Sequence, residues 1–223
     1  MLTIYCAPLS GAANKARMCA NALGLEYEAI AVDLRSSEQR APEYLAVNPF
    51  GKVPAIDDDG FYLFESNAIM KYLCRKHGSD LYPHELHAQA VVDQWCDFAA
   101  SLLVPAFGRI VFNRVLAPMI GASVSQESLE DGLGFVGNYL PVLEKRLGES
   151  AYFAGSTMTI ADLAILGALD PAEACNIELS GLARLYTWRE ALRAQQFYAD
   201  VHGYFGEGVL PEVNGDSLLN LKQ

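Results

Sequence analysis

Two short stretches carry groups that could hold a small polar ligand. The first, Asn48-Pro49-Phe50-Gly51-Lys52-Val53-Pro54, is a loop that delivers a proline to the start of a strand. Proline has no N–H and tolerates a cis bond, so Val53 is expected to keep its backbone polar groups turned toward a ligand. The second stretch begins eleven residues later with Glu65-Ser66-Asn67-Ala68-Ile69, which puts a carboxylate and a hydroxyl at the start of a helix. Free N–H groups and the helix dipole favour an anion at such a terminus. Together they describe a pocket for a peptide-like ligand bearing both a carboxylate and an ammonium. Glu65-Ser66 alone would read as a helix cap with an acidic first turn; Lys52-Val53-Pro54 at this distance is what adds the pocket.

The remaining reactive side chains are scattered. Cys6, Cys19, Cys74, Cys96 and Cys175 show no Cys-x-x-Cys spacing, and the odd count points to free thiols. His77, His84, His87 and His202 make no metal-ligand spacing, so no metal is expected. Net charge is −11, which repels nucleic acid and anionic membranes. Residues 1–80 carry 8 basic against 10 acidic side chains, and residues 81–223 carry 8 against 17. An anionic ligand therefore meets its cations more readily in the first third, where Arg40 and Lys52 are the candidates. No apolar run is read as long enough to cross a bilayer, and no signal peptide is read at the N-terminus, so the expected location is cytoplasmic.

The elements that must position these residues follow from pattern. Leu2–Cys6 is a short apolar strand, and about Ala12 to Leu23 is helical until Gly24 stops it. Residues 26–34 alternate as a second strand, and Pro42–Val47 suggests a short helix or turn. Residues 53–56 and 62–64 bracket Asp57-Asp58-Asp59-Gly60, a hairpin signal, and helix returns from Glu65 to about Lys76. The order β-α-β then β-β-α calls for a mixed four-stranded sheet of thioredoxin-like arrangement. A polar stretch at 79–86 ending near Pro83 divides an N-terminal domain (1–78) from an all-helical domain with a C-terminal tail (87–223). In the second domain a long helix from His87 to about Ala117 should bend or break at Pro105, and another spans about 126–147. Thr159-Ile160-Ala161-Asp162 has capping-box spacing ahead of a helix buried on most sides. Two further helices are expected at 182–194 and about 196–205, and 207–223 reads as an extended tail.

With these motifs the chain resembles the cytosolic glutathione transferase family over almost its whole length. Pro8-Leu9-Ser10-Gly11-Ala12-Ala13-Asn14-Lys15 is similar to the serine-using, phi- or theta-like bacterial type, in which Lys or Arg follows the serine by five residues. The resemblance implies that Ser10 donates a hydrogen bond to the thiolate of glutathione, the co-substrate. A charge-assisted bond worth roughly 1.5–3 kcal/mol supplies much of the roughly 2.7 kcal/mol needed to ionise a thiol at neutral pH. It further implies that Glu65 and Ser66 hold the γ-glutamyl end and that Val53, before a cis Pro54, pairs with the cysteinyl backbone. Gln39, Arg40 and Lys52 would approach the glycine carboxylate. Ser10 could instead only cap the first helix, Asn14 could share its role, and Cys6 could act by mixed disulfide. Arg109, Phe112, Asn113 and Leu116, at i, i+3, i+4 and i+7, could line the pocket of a small apolar electrophile or belong to plain core. The implied protein is a homodimeric conjugating enzyme, with helices near 65–78 and 88–105 meeting across a two-fold axis. The alternatives are a glutathione-dependent peroxidase or thiol-disulfide enzyme, and a non-catalytic carrier.

Overall fold

The computed structural model describes residues 1–7, 10–203, 212–213 and 216–217. The first strand, β1 (Leu2–Cys6), lies inside the sheet, with Leu2, Ile4 and Cys6 buried on one face and Thr3 buried and Tyr5 half-buried on the other. The helix α1 (Gly11–Ala22) leads to β2 (Glu28–Ala31), which pairs parallel to β1. A 3-10 turn (Glu38–Arg40) and α2 (Pro42–Val47) follow. Then β3 (Ala55–Asp58) and β4 (Phe61–Phe64) form an antiparallel hairpin and complete the order β2-β1-β3-β4. Asp59 (φ 54°) and Gly60 (φ 90°) both adopt positive φ, the demand of a two-residue hairpin whose twist matches its strands. Next comes α3 (Ser66–Lys76). This is the thioredoxin-like sheet expected from sequence.

Two strands differ from their patterns: the second is shorter, and the third keeps its length but starts two residues later. The second begins at Glu28 and ends at Ala31, because Asp33 accepts from the Arg35 and Ser36 amides and turns the chain out of the sheet. The third starts at Ala55, since Pro54 has no N–H to give a ladder.

The helical part is organised around α4 (Leu86–Ile120), a path that Pro105 does not break. Two widened turns, Ala99–Leu103 and Phe112–Leu116, each stop two residues short of a proline, Pro105 and Pro118. There Val104 donates to the Ala99 carbonyl and Ala117 to the Phe112 carbonyl, an i to i−5 pattern that makes room for a ring that would otherwise strike the preceding turn. By length and composition this path is apolar enough to cross a membrane, contrary to the sequence reading. Its apolar face packs into the helical core, which includes Val92, Cys96, Leu103, Phe107 and Ile110.

Beyond it lie α5 (Gln126–Glu149), α6 (Ile160–Leu169), α7 (Ala183–Arg193) and α8 (Gln196–Gly203). Every residue of α6 is buried, and its capping box is present at Thr159 and Asp162. In the tail, two-residue strands β5 (Glu212–Val213) and β6 (Asp216–Ser217) pair antiparallel; the rest of the 207–223 expectation, and residues 204–205 of the last helix, lie outside the described residues. The first helix crosses α6 at glycines, where a Cβ on Gly11 would stand 2.7 Å from the Gly167 carbonyl oxygen. That contact couples the sheet half of the molecule to the helical half.

Candidate active site

Strand register decides which loops meet. Because β1 and β2 run parallel with Cys6 opposite Ala31, the segments that follow them, with Ser10 on one and Gln39 and Arg40 on the other, leave the sheet at the same end. The antiparallel pairing of Tyr5 with Ala55 brings Val53 and Pro54 to that end as they enter β3. Ala55 pairs in turn with Phe64, so Glu65 and Ser66 leave β4 there too. Ser10, Gln39, Arg40, Lys52, Val53, Glu65 and Ser66 are thus gathered at one edge from four separate stretches of chain.

Local geometry leaves several of their polar groups free. Ser10 caps α1 by accepting from the Ala13 amide at 3.2 Å, which uses a lone pair and not the hydroxyl proton. The cap and the donor reading of Ser10 are therefore compatible. The Val53–Pro54 bond is cis, and neither backbone polar group of Val53 has a partner among the described residues. Glu65 caps α3 with φ 71° and ψ 109° and makes no side-chain cap bond, so the first-turn amides keep no side-chain partner. Such a backbone costs a non-glycine residue about 1–3 kcal/mol and persists at sites where surrounding structure fixes it. Ser66 is buried, and no described residue bonds its hydroxyl.

The loop that carries Lys52 and Val53 is pinned by residues the sequence reading did not single out. Asn48 is 2% exposed and donates to the Lys52 carbonyl at 2.7 Å, while Tyr44 donates to the same oxygen at 2.6 Å. Asn48 also accepts from the Phe50 amide at 3.1 Å. Burial raises the Tyr44 phenol, so it remains a donor. The only sequence signal was Asn48 itself, inside the quoted loop. Gly51, at φ 58°, lies so close to the Gln39 carbonyl that a Cβ would stand 2.7 Å from it, and the Arg40 side chain passes over the same spot. The amide oxygen of Gln39 is buried with no described partner.

Cys6 is ill suited to attack. It is fully buried, its thiol donates to the Ile30 carbonyl at 3.6 Å, and burial raises its pKa. Asn14 is 7% exposed, with its amide oxygen unpartnered among the described residues. The four positions on α4 do not share one surface. Phe112 and Leu116 are 42% and 37% exposed. Arg109 instead faces α5, where it pairs with Asp131 at 3.8 Å and lies beside Gly132. Asn113 is 3% exposed, donating to the Arg109 carbonyl and accepting from the Ser125 amide at 2.7 Å. A regular helical wheel does not hold through the widened turn at 112–116.

Residues 1–75 match the family model described as glutathione S-transferase, N-terminal domain, and residues 93–196 the corresponding C-terminal domain. Glutathione S-transferase F10 of Arabidopsis thaliana is 36% identical over 169 residues, 74% of this chain and 78% of that protein. The chain belongs to the glutathione S-transferase family. Among solved structures, glutathione transferase F2 from Populus trichocarpa superposes with TM-score 0.84 at 28% identity, covering 90% of this chain and 97% of that one. Glutathione S-transferase I from maize, in complex with an atrazine–glutathione conjugate, gives 0.83 at 29% identity, covering 90% and 96%. The protein is a glutathione transferase, an enzyme that joins glutathione to an electrophile, and these relatives do not favour the peroxidase, thiol-disulfide or carrier alternatives.

Proposed function

We propose that this transferase is of the serine-using type, with Ser10 donating its hydroxyl proton to the sulfur of bound glutathione. The observation that carries the reading is a half-buried Ser10 whose proton is unused among the described residues, beside unpartnered polar groups of Val53 and Ser66 at the same sheet edge. The Val53 backbone would pair with the cysteinyl unit, setting the sulfur over the N-terminus of α1. Ser66 and the first-turn amides of α3 would take the γ-glutamyl carboxylate, and Glu65 the ammonium. Lys52 and Arg40, both exposed, are the cations for the glycine carboxylate, with Gln39 beside them. Serine does not attack in this scheme. It stabilises the thiolate, the sulfur forms the new bond to the electrophile, and the leaving group departs with the displaced electron pair.

Exposed Phe112 and Leu116 support an apolar electrophile, whereas Asn113 and Arg109 are occupied in the α4–α5 contact. A division into 1–78, a linker at 79–86 and a helical domain at 87–223 is supported by the helix stop at Gly78 (φ 64°) and the start of α4 at Leu86. A homodimer through the α3 and α4 faces is consistent with the exposed apolar side chains of Leu102 and Val104 on α4. All five thiols are free, which favours a reducing, cytoplasmic location.

The test is the thiol pKa of bound glutathione, followed by thiolate absorbance across pH. Wild type should ionise well below the free thiol. Ser10→Ala should move the midpoint back up by roughly 1–2 pH units, the equivalent of one charge-assisted hydrogen bond, and cut turnover about tenfold. An unchanged midpoint in the variant would remove Ser10 from the mechanism.

A further inference from the structure

Lys15 is the buried charge that the reading above leaves unexplained. It lies on α1, five residues after Ser10, and is only 4% exposed. Its stem is enclosed where α1 crosses α6, close to Gly167. Its ammonium donates to Asn67 Oδ1 at 2.8 Å, and Asn67 donates in turn to the Cys96 carbonyl on α4 at 2.9 Å. No carboxylate lies within ion-pair distance of Lys15 among the described residues. An ammonium taken out of water costs several kcal/mol unless a negative charge answers it, so a buried lysine held only by a neutral amide is expensive. Burial lowers its pKa to about 8, and the Glu65 carboxylate at the N-cap of α3 pulls it partly back up. At neutral pH it remains mostly charged.

Asn67 follows Ser66 directly, so this cation is tied to the first turn of α3, where the dipole and free amides already favour an anion. We infer that Lys15 is an electrostatic positioning residue whose ammonium, held against Asn67, answers the γ-glutamyl carboxylate when glutathione docks at Ser66. The inference rests on the proposed placement of that carboxylate. It also gives Asn67 a role: its amide accepts from Lys15 on one side and anchors α3 to α4 on the other. Ligand binding would then supply the negative charge that the empty fold lacks.

The test compares two ligands by calorimetry: glutathione and its analogue with 4-aminobutyrate in place of the γ-glutamyl residue, which lacks only that carboxylate. Wild type should prefer glutathione at least tenfold. Lys15→Met, of similar length and without charge, should lose about tenfold of that preference, whereas Lys15→Arg should keep most of it. Because the readout is a ratio of affinities in one folded protein, a smaller folded fraction leaves it unchanged. If wild type discriminates and Lys15→Met discriminates equally, the role of Lys15 is overturned while the carboxylate placement stands. If wild type fails to discriminate, the placement itself is overturned, and the inference with it.

Discussion

Replacing Asp162 by alanine should open a pH-dependent stability gap. The carboxylate is fully buried at the start of α6. One oxygen accepts from the Phe153 amide at 3.1 Å and the Trp188 indole N–H at 3.3 Å; the other accepts from the Thr159 amide at 2.9 Å and its hydroxyl at 3.2 Å. The hydroxyl can rotate elsewhere, but the other three donors are fixed by backbone or ring. Leaving each unsatisfied costs about 1–3 kcal/mol, or about 3–9 kcal/mol together. Against this, burial pushes the Asp162 pKa up to about 6 from the usual 3.8. At neutral pH the folded carboxylate therefore carries a penalty of about 3 kcal/mol that the alanine variant escapes. Donor loss wins, with a net destabilisation near 3 kcal/mol at pH 7, a large share of the usual 5–15 kcal/mol of a folded domain.

The pH dependence separates the two contributions. A raised folded-state pKa means that the stability from this group is fully present below the unfolded value near 3.8 and is lost as pH rises through about 6. The gap between wild type and Asp162→Ala should therefore widen by about 3 kcal/mol as pH falls from 7 to below 4, with most of the change between 4 and 6. Equilibrium urea unfolding followed by tryptophan fluorescence reads this directly, since Trp188 touches the carboxylate. A gap under about 1 kcal/mol at pH 7 would refute the count of orphaned donors. A gap that stays constant with pH would refute the buried, raised carboxylate.

Two glycine substitutions test how the site is framed. Gly51→Ala adds a Cβ at φ 58° and 2.7 Å from the Gln39 carbonyl, so glutathione affinity should fall about 5- to 30-fold, the equivalent of 1–2 kcal/mol, with kcat largely kept; unchanged affinity by calorimetry would show that the loop absorbs the methyl. Gly11→Ala has no φ penalty but drives a Cβ against the Gly167 carbonyl, and should cost about 1–3 kcal/mol of stability in thermal or urea unfolding while shifting the thiol pKa set beside Ser10; a variant as stable as wild type would mean the α1–α6 crossing is not close-packed.

Much of the fold was legible in local pattern. The β-α-β and β-β-α order, the Asp59-Gly60 hairpin, the cis proline after Val53 and the Thr159–Asp162 capping box depend on contacts a few residues apart, which composition and spacing encode. The loop at 48–54 and the helix start at 65–66 were visible for the same reason: proline, glycine and serine act on their own backbone. Three features needed tertiary structure. The bounds of two strands were set by backbone amides, those that the Asp33 carboxylate captures and the one that Pro54 lacks. The path of α4 through Pro105 depended on a widened turn upstream that hydropathy does not mark, and the second widened turn, at 112–116, set Asn113 apart from Phe112 and Leu116. Lys15 reads in the sequence as an ordinary helical charge five residues after Ser10. Only the packing of α1 against α3 and α6 removes it from water and joins it to Asn67, 52 positions away along the chain. A charge's meaning lies in its surroundings, and those come from parts of the chain that local spacing does not connect.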